Sequence, residues 1–224
     1  MPPLSRLQNV AVDLGWPGAL RITPQWLVSR RYFGLVADLD ALTLEDPQRR
    51  EIRVTALDAT DVSSVCAFDR GWTDAEVLRR LDEGQQCTLG WWHGELAHVR
   101  WDSTAPVYLP YLDRVLRPGP GDQVVVEIHT AAAFRGRGVA GAVMVDASRR
   151  ARALGISRLV WVAPWWNTRS LALGQQFASR IVGVVGYWIL GPWRRYFASG
   201  AVHFEPNHSF RIDTAAPALR RLDA

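Results

Sequence analysis

QVVVEIHTAAAFRGRGVA, residues 123–140, decides how the whole chain is read. Val124 to Thr130 is a β-branched run of strand length. A short alanine-rich turn follows, then a loop of arginines and glycines. From Gly138 to Leu154, Val139, Val143, Ala147 and Ala151 recur along one helical stripe. A strand that feeds a glycine-rich loop at a helix N-terminus is an anion site in outline: the first helical N–H groups have no partner, and the helix dipole favours negative charge there. Gly136 and Gly138 let backbone N–H groups approach a phosphate closely. Arg135 and Arg137 can neutralise it, each charge-assisted bond contributing roughly 1.5–3 kcal/mol.

Downstream of that stretch, Ser157 to Ala163 reads as a strand ended by Pro164. Asn167 caps a helix that runs to about Ser179. Ile181 to Leu190 is a strongly apolar strand, and Gly191-Pro192 turns it into a short one over Trp193 to Phe197. Residues 201–224 read as a loosely structured tail.

Upstream, Glu51 to Leu57 alternates as a strand, and Asp58 or Thr60 opens a helix that runs to about Arg70. Thr73 and Glu76 form a capping box for a second helix ending near Gly84. Gln85 to Trp92 and Glu95 to Trp101 form a hairpin across His93-Gly94. Ser103 to Asp122, with four prolines, is a long loop or irregular helix. In the first fifty residues, Trp26, Leu27, Tyr32, Phe33, Val36, Leu39 and Leu42 recur at helical spacing, which predicts one helix over Gln25 to Leu42. The chain therefore divides into an N-terminal helical extension (1–50), a main domain (51–200) and a C-terminal tail (201–224).

Composition narrows the function. With 224 residues and 48% hydrophobic content, the chain reads as one globular domain with extensions. Apolar runs fall short of a membrane span, and the N-terminus carries no secretory pattern, so a cytoplasmic protein without a membrane is expected. Cys66 and Cys87 make neither a disulfide framework nor a metal site; they read as small buried residues, and no metal is expected. The formal charge is +4 and there is no lysine, so all 26 basic residues are arginine. They are scattered among acidic residues, which argues against nucleic acid as a partner.

Arg135-Gly136-Arg137-Gly138-Val139-Ala140 fits R-x-x-G-x-G/A between strand and helix. The segment resembles the acyl-coenzyme-A signature of the GNAT N-acyltransferase superfamily. The resemblance covers about residues 51–196 and is strongest over 124–179, where Asn167 and Ser170 follow in the family's order. It implies an α+β fold: a mixed, mostly antiparallel central sheet flanked by helices, here with the N-terminal helical extension. It implies that Ile128, His129 and Thr130 offer main-chain groups to the pantetheine arm. By the same resemblance, Arg135, Gly136, Arg137, Gly138, Val139 and Ala140 cradle the pyrophosphate, and Asn167 with Ser170 touches the pantetheine region.

Attack of an amine on a thioester needs a neutral amine, a held oxyanion and a stabilised leaving thiolate. Many family members place a tyrosine about seven residues after the asparagine as the general acid; here that position is Gly174. Candidates to replace it are Glu127, His129, Tyr187 and Tyr108. Glu127 and His129 share a face of the central strand by alternation, and polar side chains on so apolar a strand cost free energy unless they are paired, hydrogen-bonded locally or partly solvated. The 11 tryptophans include adjacent pairs at Trp91-Trp92 and Trp165-Trp166; one of each pair must point away from a single core, towards a substrate pocket or a second core.

The resemblance thus implies an enzyme that moves acetyl from acetyl-CoA to the amine of a small molecule, by direct attack in a ternary complex. Alternatives are a peptide or protein amine, a longer acyl chain, or a coenzyme-binding regulatory module without catalysis. A homodimer is compatible with all of them.

Overall fold

The computed structural model describes residues 28–42, 51–68 and 71–219. Twelve strands and four α-helices follow one another among these residues. Eight strands form the main sheet: β1 (Ser29–Asp38), β2 (Ile52–Ala56), β3 (Gln86–Trp92), β4 (Glu95–Ser103), β7 (Asp122–Thr130), β8 (Arg158–Pro164), β9 (Arg180–Leu190) and β10 (Trp193–Gly200). Their spatial order is β10-β9-β1-β8-β7-β4-β3-β2. A second sheet joins β5 (Val107–Leu109), β6 (Arg114–Leu116), β11 (Val202–Glu205) and β12 (Ser209–Ile212) in the order β11-β12-β6-β5. Every pairing in the main sheet is antiparallel except β7 with β8. The expected α+β architecture with a mostly antiparallel sheet is the observed one.

The helices are α1 (Val62–Ala67), α2 (Asp74–Asp82), α3 (Val139–Ala153) and α4 (Thr168–Gln176). Local chemistry sets their ends. Thr73 accepts the Glu76 N–H at the start of α2, and Asn167 accepts the Ser170 N–H at 3.1 Å at the start of α4. His93 and Gly94, both at positive φ, turn β3 into β4.

Three apolar layers hold the sheet. On one face, Met144, Val145 and Ala151 of α3 and Phe177 beyond α4 pack on Leu35, Ala37, Val125 and Leu159. On the other face, α1 and α2 bring Val65 and Val77 onto Leu89, Val99 and Trp101. Beside them the second sheet brings Val107, Leu116, Phe210 and Ile212 onto Val36, Val124, Val160 and Val185.

The helix expected over Gln25 to Leu42 is corrected. Residues 25–27 lie outside the described residues, and Ser29–Asp38 is a strand, pairing with β8 on one side and β9 on the other. Val36 faces the second sheet while Leu35 and Ala37 face α3 and α4, so both sides are buried. A strand covered on both faces has no alternation, and its apolar residues imitate helical spacing. Only a short 3-10 turn, Leu39–Ala41, follows it. The tail is corrected too: residues 202–212 form the β11–β12 hairpin, and the Thr214 hydroxyl bonds the buried Asp122 carboxylate at 3.1 Å. The long stretch from Ser103 holds β5 and β6 rather than an irregular helix. The first helix of the domain ends at Ala67, with residues 69–70 outside the described set.

Candidate active site

The site grows from the parallel pair. β7 and β8 are joined only through Asp122, Gln123 and Val124, opposite Arg158, Leu159 and Val160. Beyond Val124 the strands part. On its other edge β7 stays paired with β4 as far as Thr130, opposite His98. The edge of residues 125–130 that turns toward β8 is therefore outside the β7–β8 ladder. Ile128, His129 and Thr130 lie on this stretch of β7.

A register shift in the β4–β7 pairing sits beside the split: Trp101 opposes Glu127, yet Asp102 opposes Val125. The extra residue, Val126, is a bulge. It directs Val125 and Ile128 toward α3 and α4, while Val126 packs with the opposite face. Glu127 and His129 share that opposite face. The Glu127 carboxylate accepts from Arg80 Nη2 at 3.1 Å, and the His129 ring meets Phe68 edge-on at 5.5 Å. Arg80 in turn bonds Glu76 at 2.9 Å and lies over the rings of Trp72 and Trp101. The carboxylate is thus held in place on an aromatic wall. Nothing in the sequence spacing pointed to Arg80, since it lies 47 positions from its partner.

At the upper end of β7 the chain turns through Ala132–Phe134 into the arginine and glycine loop. Gly136 and Gly138 have φ of 76° and 80°, the left-handed region that strains any residue with a Cβ. Apart from its chain neighbours, no described residue comes within 4 Å of where a Gly136 Cβ would stand. Gly138 is the N-cap of α3 and gives no side-chain cap, and the first turn carries no acidic residue. The Val139, Ala140 and Gly141 N–H groups are left to an outside acceptor. Arg135 Nε donates to the Thr130 carbonyl and Arg137 Nε to the Ala133 carbonyl, both at 3.3 Å, which ties each guanidinium to the loop. Arg137 also lies over Trp92 at 5.2 Å. The adjacent tryptophans of β3 diverge as their spacing demands: Trp91 joins the core under α1 and α2, and Trp92 packs beside α3.

His98 supports this junction from below. It is fully buried, and its ring Nδ1 is 2.8 Å from the Thr130 hydroxyl. Burial first, then the charge of Arg100, pushes the imidazole down to about 3, so the ring is neutral.

The far lip of the split is built differently. Gly174 is buried, and a Cβ there would stand 2.6 Å from the Ser179 hydroxyl and 2.9 Å from the Trp161 ring. The Trp161 indole of β8 thus occupies space beside the position where the resemblance leads one to look for a tyrosine. Val125, Ile128, Met144, Trp161, Leu173 and Gly174 line a narrow apolar slot there.

Of the remaining candidates, Tyr187 is buried and donates to the Tyr111 carbonyl at 3.4 Å. Tyr108 is exposed and donates to Asp113 at 2.8 Å, away from the split. Neither Cys66 nor Cys87 is a poised nucleophile: burial, with Asp74 next, pushes the Cys66 thiol up to about 11, and burial raises Cys87 as well. Among the described residues no group of three or more His, Cys, Asp and Glu gathers as a metal site, and no helix is long and apolar enough to cross a membrane.

A parted parallel pair, a bulged central strand and a glycine loop capping the next helix follow one another along residues 122–153 and the neighbouring strand. A region of a fungal multi-domain GH3 β-N-acetylglucosaminidase, described as a GCN5-related glucosamine N-acetyltransferase, superposes with a TM-score of 0.55 at 13% identity, over 81% of this chain and 22% of that one. A GNAT-family acetyltransferase from Novosphingobium aromaticivorans matches with a TM-score of 0.49 at 19% identity, over 69% of this chain and 61% of that one. An N-acetyltransferase from Staphylococcus aureus matches with 0.45 at 16%, over 57% and 82%. No protein-family model matches the sequence. No curated protein matches it either. The chain adopts the fold of the GNAT N-acetyltransferases.

Proposed function

We propose that the protein is an acyl-coenzyme-A-dependent N-acyltransferase that moves acetyl from acetyl-CoA to the amine of a small molecule. The observation that carries this reading is the edge of β7 that β8 leaves beyond Val124, followed in the chain by the α3 N-terminus that no side chain caps. An extended pantetheine arm can add to such an edge as a strand would, and its pyrophosphate then reaches the Gly136–Ala140 loop. Arg135 and Arg137 supply the counter-charge, and Asn167 and Ser170 close the arm from the start of α4.

In this reading coenzyme and acceptor meet in the split, and acyl transfer is direct. The thioester carbonyl is polarised by a main-chain N–H of β7 near Ile128. Glu127 receives the proton that the acceptor nitrogen must lose. His129 and Phe68 shape the acceptor side. Tyr187, whose hydroxyl is committed to a backbone carbonyl, serves as a support rather than as an acid.

Thiol release from acetyl-CoA with a panel of small amines tests the reading. Turnover with peptides only would move the acceptor to protein amines. Tight coenzyme binding with no thiol release from any amine or acyl donor would leave a coenzyme-binding module.

A further inference from the structure

The split between β7 and β8 has a closed end. Val124 and Val160 are the last paired residues, and Val125 and Trp161 are the first beyond the ladder. Both pack on the side of α3 and α4. The narrow slot described above lies at this point. Its lining joins Val125 and Ile128 of β7, Trp161 of β8, Met144 of α3, and Leu173 and Gly174 of α4. Its free volume is about 10 Å³, at the lower limit for one water-sized guest. The walls are almost wholly apolar, whereas a buried water needs about two to four polar partners. A methyl group suits the slot better than a water does.

Trp161 limits this space. The ring is buried, and its backbone pairs with Leu35 of β1 behind it. A Cβ at position 174 would stand 2.9 Å from the indole, so only a glycine there lets the ring lie where it does. A donor with a longer chain would need the buried indole to move.

The run of the coenzyme leads to the same point. In the acyltransferase reading the pyrophosphate sits at the Gly136–Ala140 loop, past the end of β7 at Thr130. The pantetheine arm then runs back along the strand. Five steps of about 3.3 Å, roughly 17 Å in all, lead from Thr130 to Val125. The acyl group is the terminal part of that arm and meets the closed end of the split.

We propose that the slot receives the alkyl part of the acyl group, and that Trp161, admitted by Gly174, limits that part to a methyl. The donor is then acetyl-CoA rather than a longer acyl-CoA, and Trp161 is the residue that sets the length. The inference rests on the acyltransferase reading above and adds a length limit to it.

A series of acetyl-, propionyl- and butyryl-CoA tests this. In wild type kcat/KM should fall by at least about tenfold for each added methylene. Trp161→Leu should bring the longer donors within about threefold of acetyl-CoA, because the indole no longer fills the end of the slot. Leu173→Ala, on a half-buried position, should shift the preference the same way with less strain on the fold. A merely structural loss would lower all three donors alike. A second measurement needs no turnover: wild type should bind S-ethyl-coenzyme A at least about tenfold more tightly than S-butyl-coenzyme A, and Trp161→Leu should close that gap. Wild type that uses butyryl-CoA as well as acetyl-CoA, or folded variants that keep the wild-type preference, overturn the proposal and leave the acyltransferase intact. Wild type that binds neither coenzyme A nor its thioethers overturns the acyltransferase reading, and this proposal with it.

Discussion

The two lips of the split obey different rules. The β7 lip is continuous in sequence: strand, loop and helix succeed one another within residues 122–153, and each feature is local. The β8 lip is assembled from afar. Its neighbour in the sheet is β1, its floor is Trp161 against Gly174, and the phenols above it come from residues 32 and 111. The first lip binds through backbone geometry, which a short motif can encode. The second lip presents side chains, and those are set by tertiary packing.

Gly138→Val attacks the first lip hardest. A branched side chain at φ 80° would disturb the N-cap of α3 and its donors. Losing two charge-assisted bonds at roughly 1.5–3 kcal/mol each weakens coenzyme binding by at least about a hundredfold. Calorimetry with coenzyme A checks it, and retained affinity would break the division between the lips. Glu127→Gln comes next: kcat should fall by about a hundredfold, with the acid limb of its pH profile removed. An unaltered profile takes Glu127 out of the proton path.

Gly174→Tyr asks whether the second lip can be restored to the expected pattern. The contacts at 2.6 and 2.9 Å leave no room for the ring, so stability should fall by about 3 kcal/mol in urea unfolding. A variant as stable as wild type and more active would show that the lip was never rebuilt.

The smallest effect concerns the junction of the two regions. The His98 imidazole is held near 3 in the fold against about 6.5 when unfolded, so the unfolded chain binds the extra proton between those values. Its contribution is complete above about pH 6.5 and is lost as pH falls toward 3, by up to about 1.4 kcal/mol per unit. From pH 7 to pH 5 this amounts to about 2 kcal/mol, and His98→Gln should flatten that slope in urea titrations. An equal slope in both proteins would assign the acid sensitivity elsewhere.

This contrast also explains what could be read from the sequence. Gly136, Gly138 and the Asn167 cap are legible because the backbone conformation they serve is local. The strand faces of Glu127 and His129 follow from alternation, which the bulge at Val126 leaves intact beyond it. Ser29–Asp38 misleads because a strand buried on both faces loses its period of two. Arg80 and His98 carry no local signal at all. Their partners lie 47 and 32 positions away.

The seat of β1 between β8 and β9 bears on how the molecule is made. On the ribosome, residues 29–38 emerge long before their two partners, which span residues 158–190. Until then a mostly apolar strand waits with both edges bare, a state open to pairing with other chains. The sheet can close on the β8–β9 side only through contacts of high sequence separation, the slow kind. Removing residues 1–42 would shorten the wait, but it would leave β8 and β9 facing an empty lane in the middle of the sheet. The strand that flanks β8 thus makes closure of this side of the sheet a late step of folding.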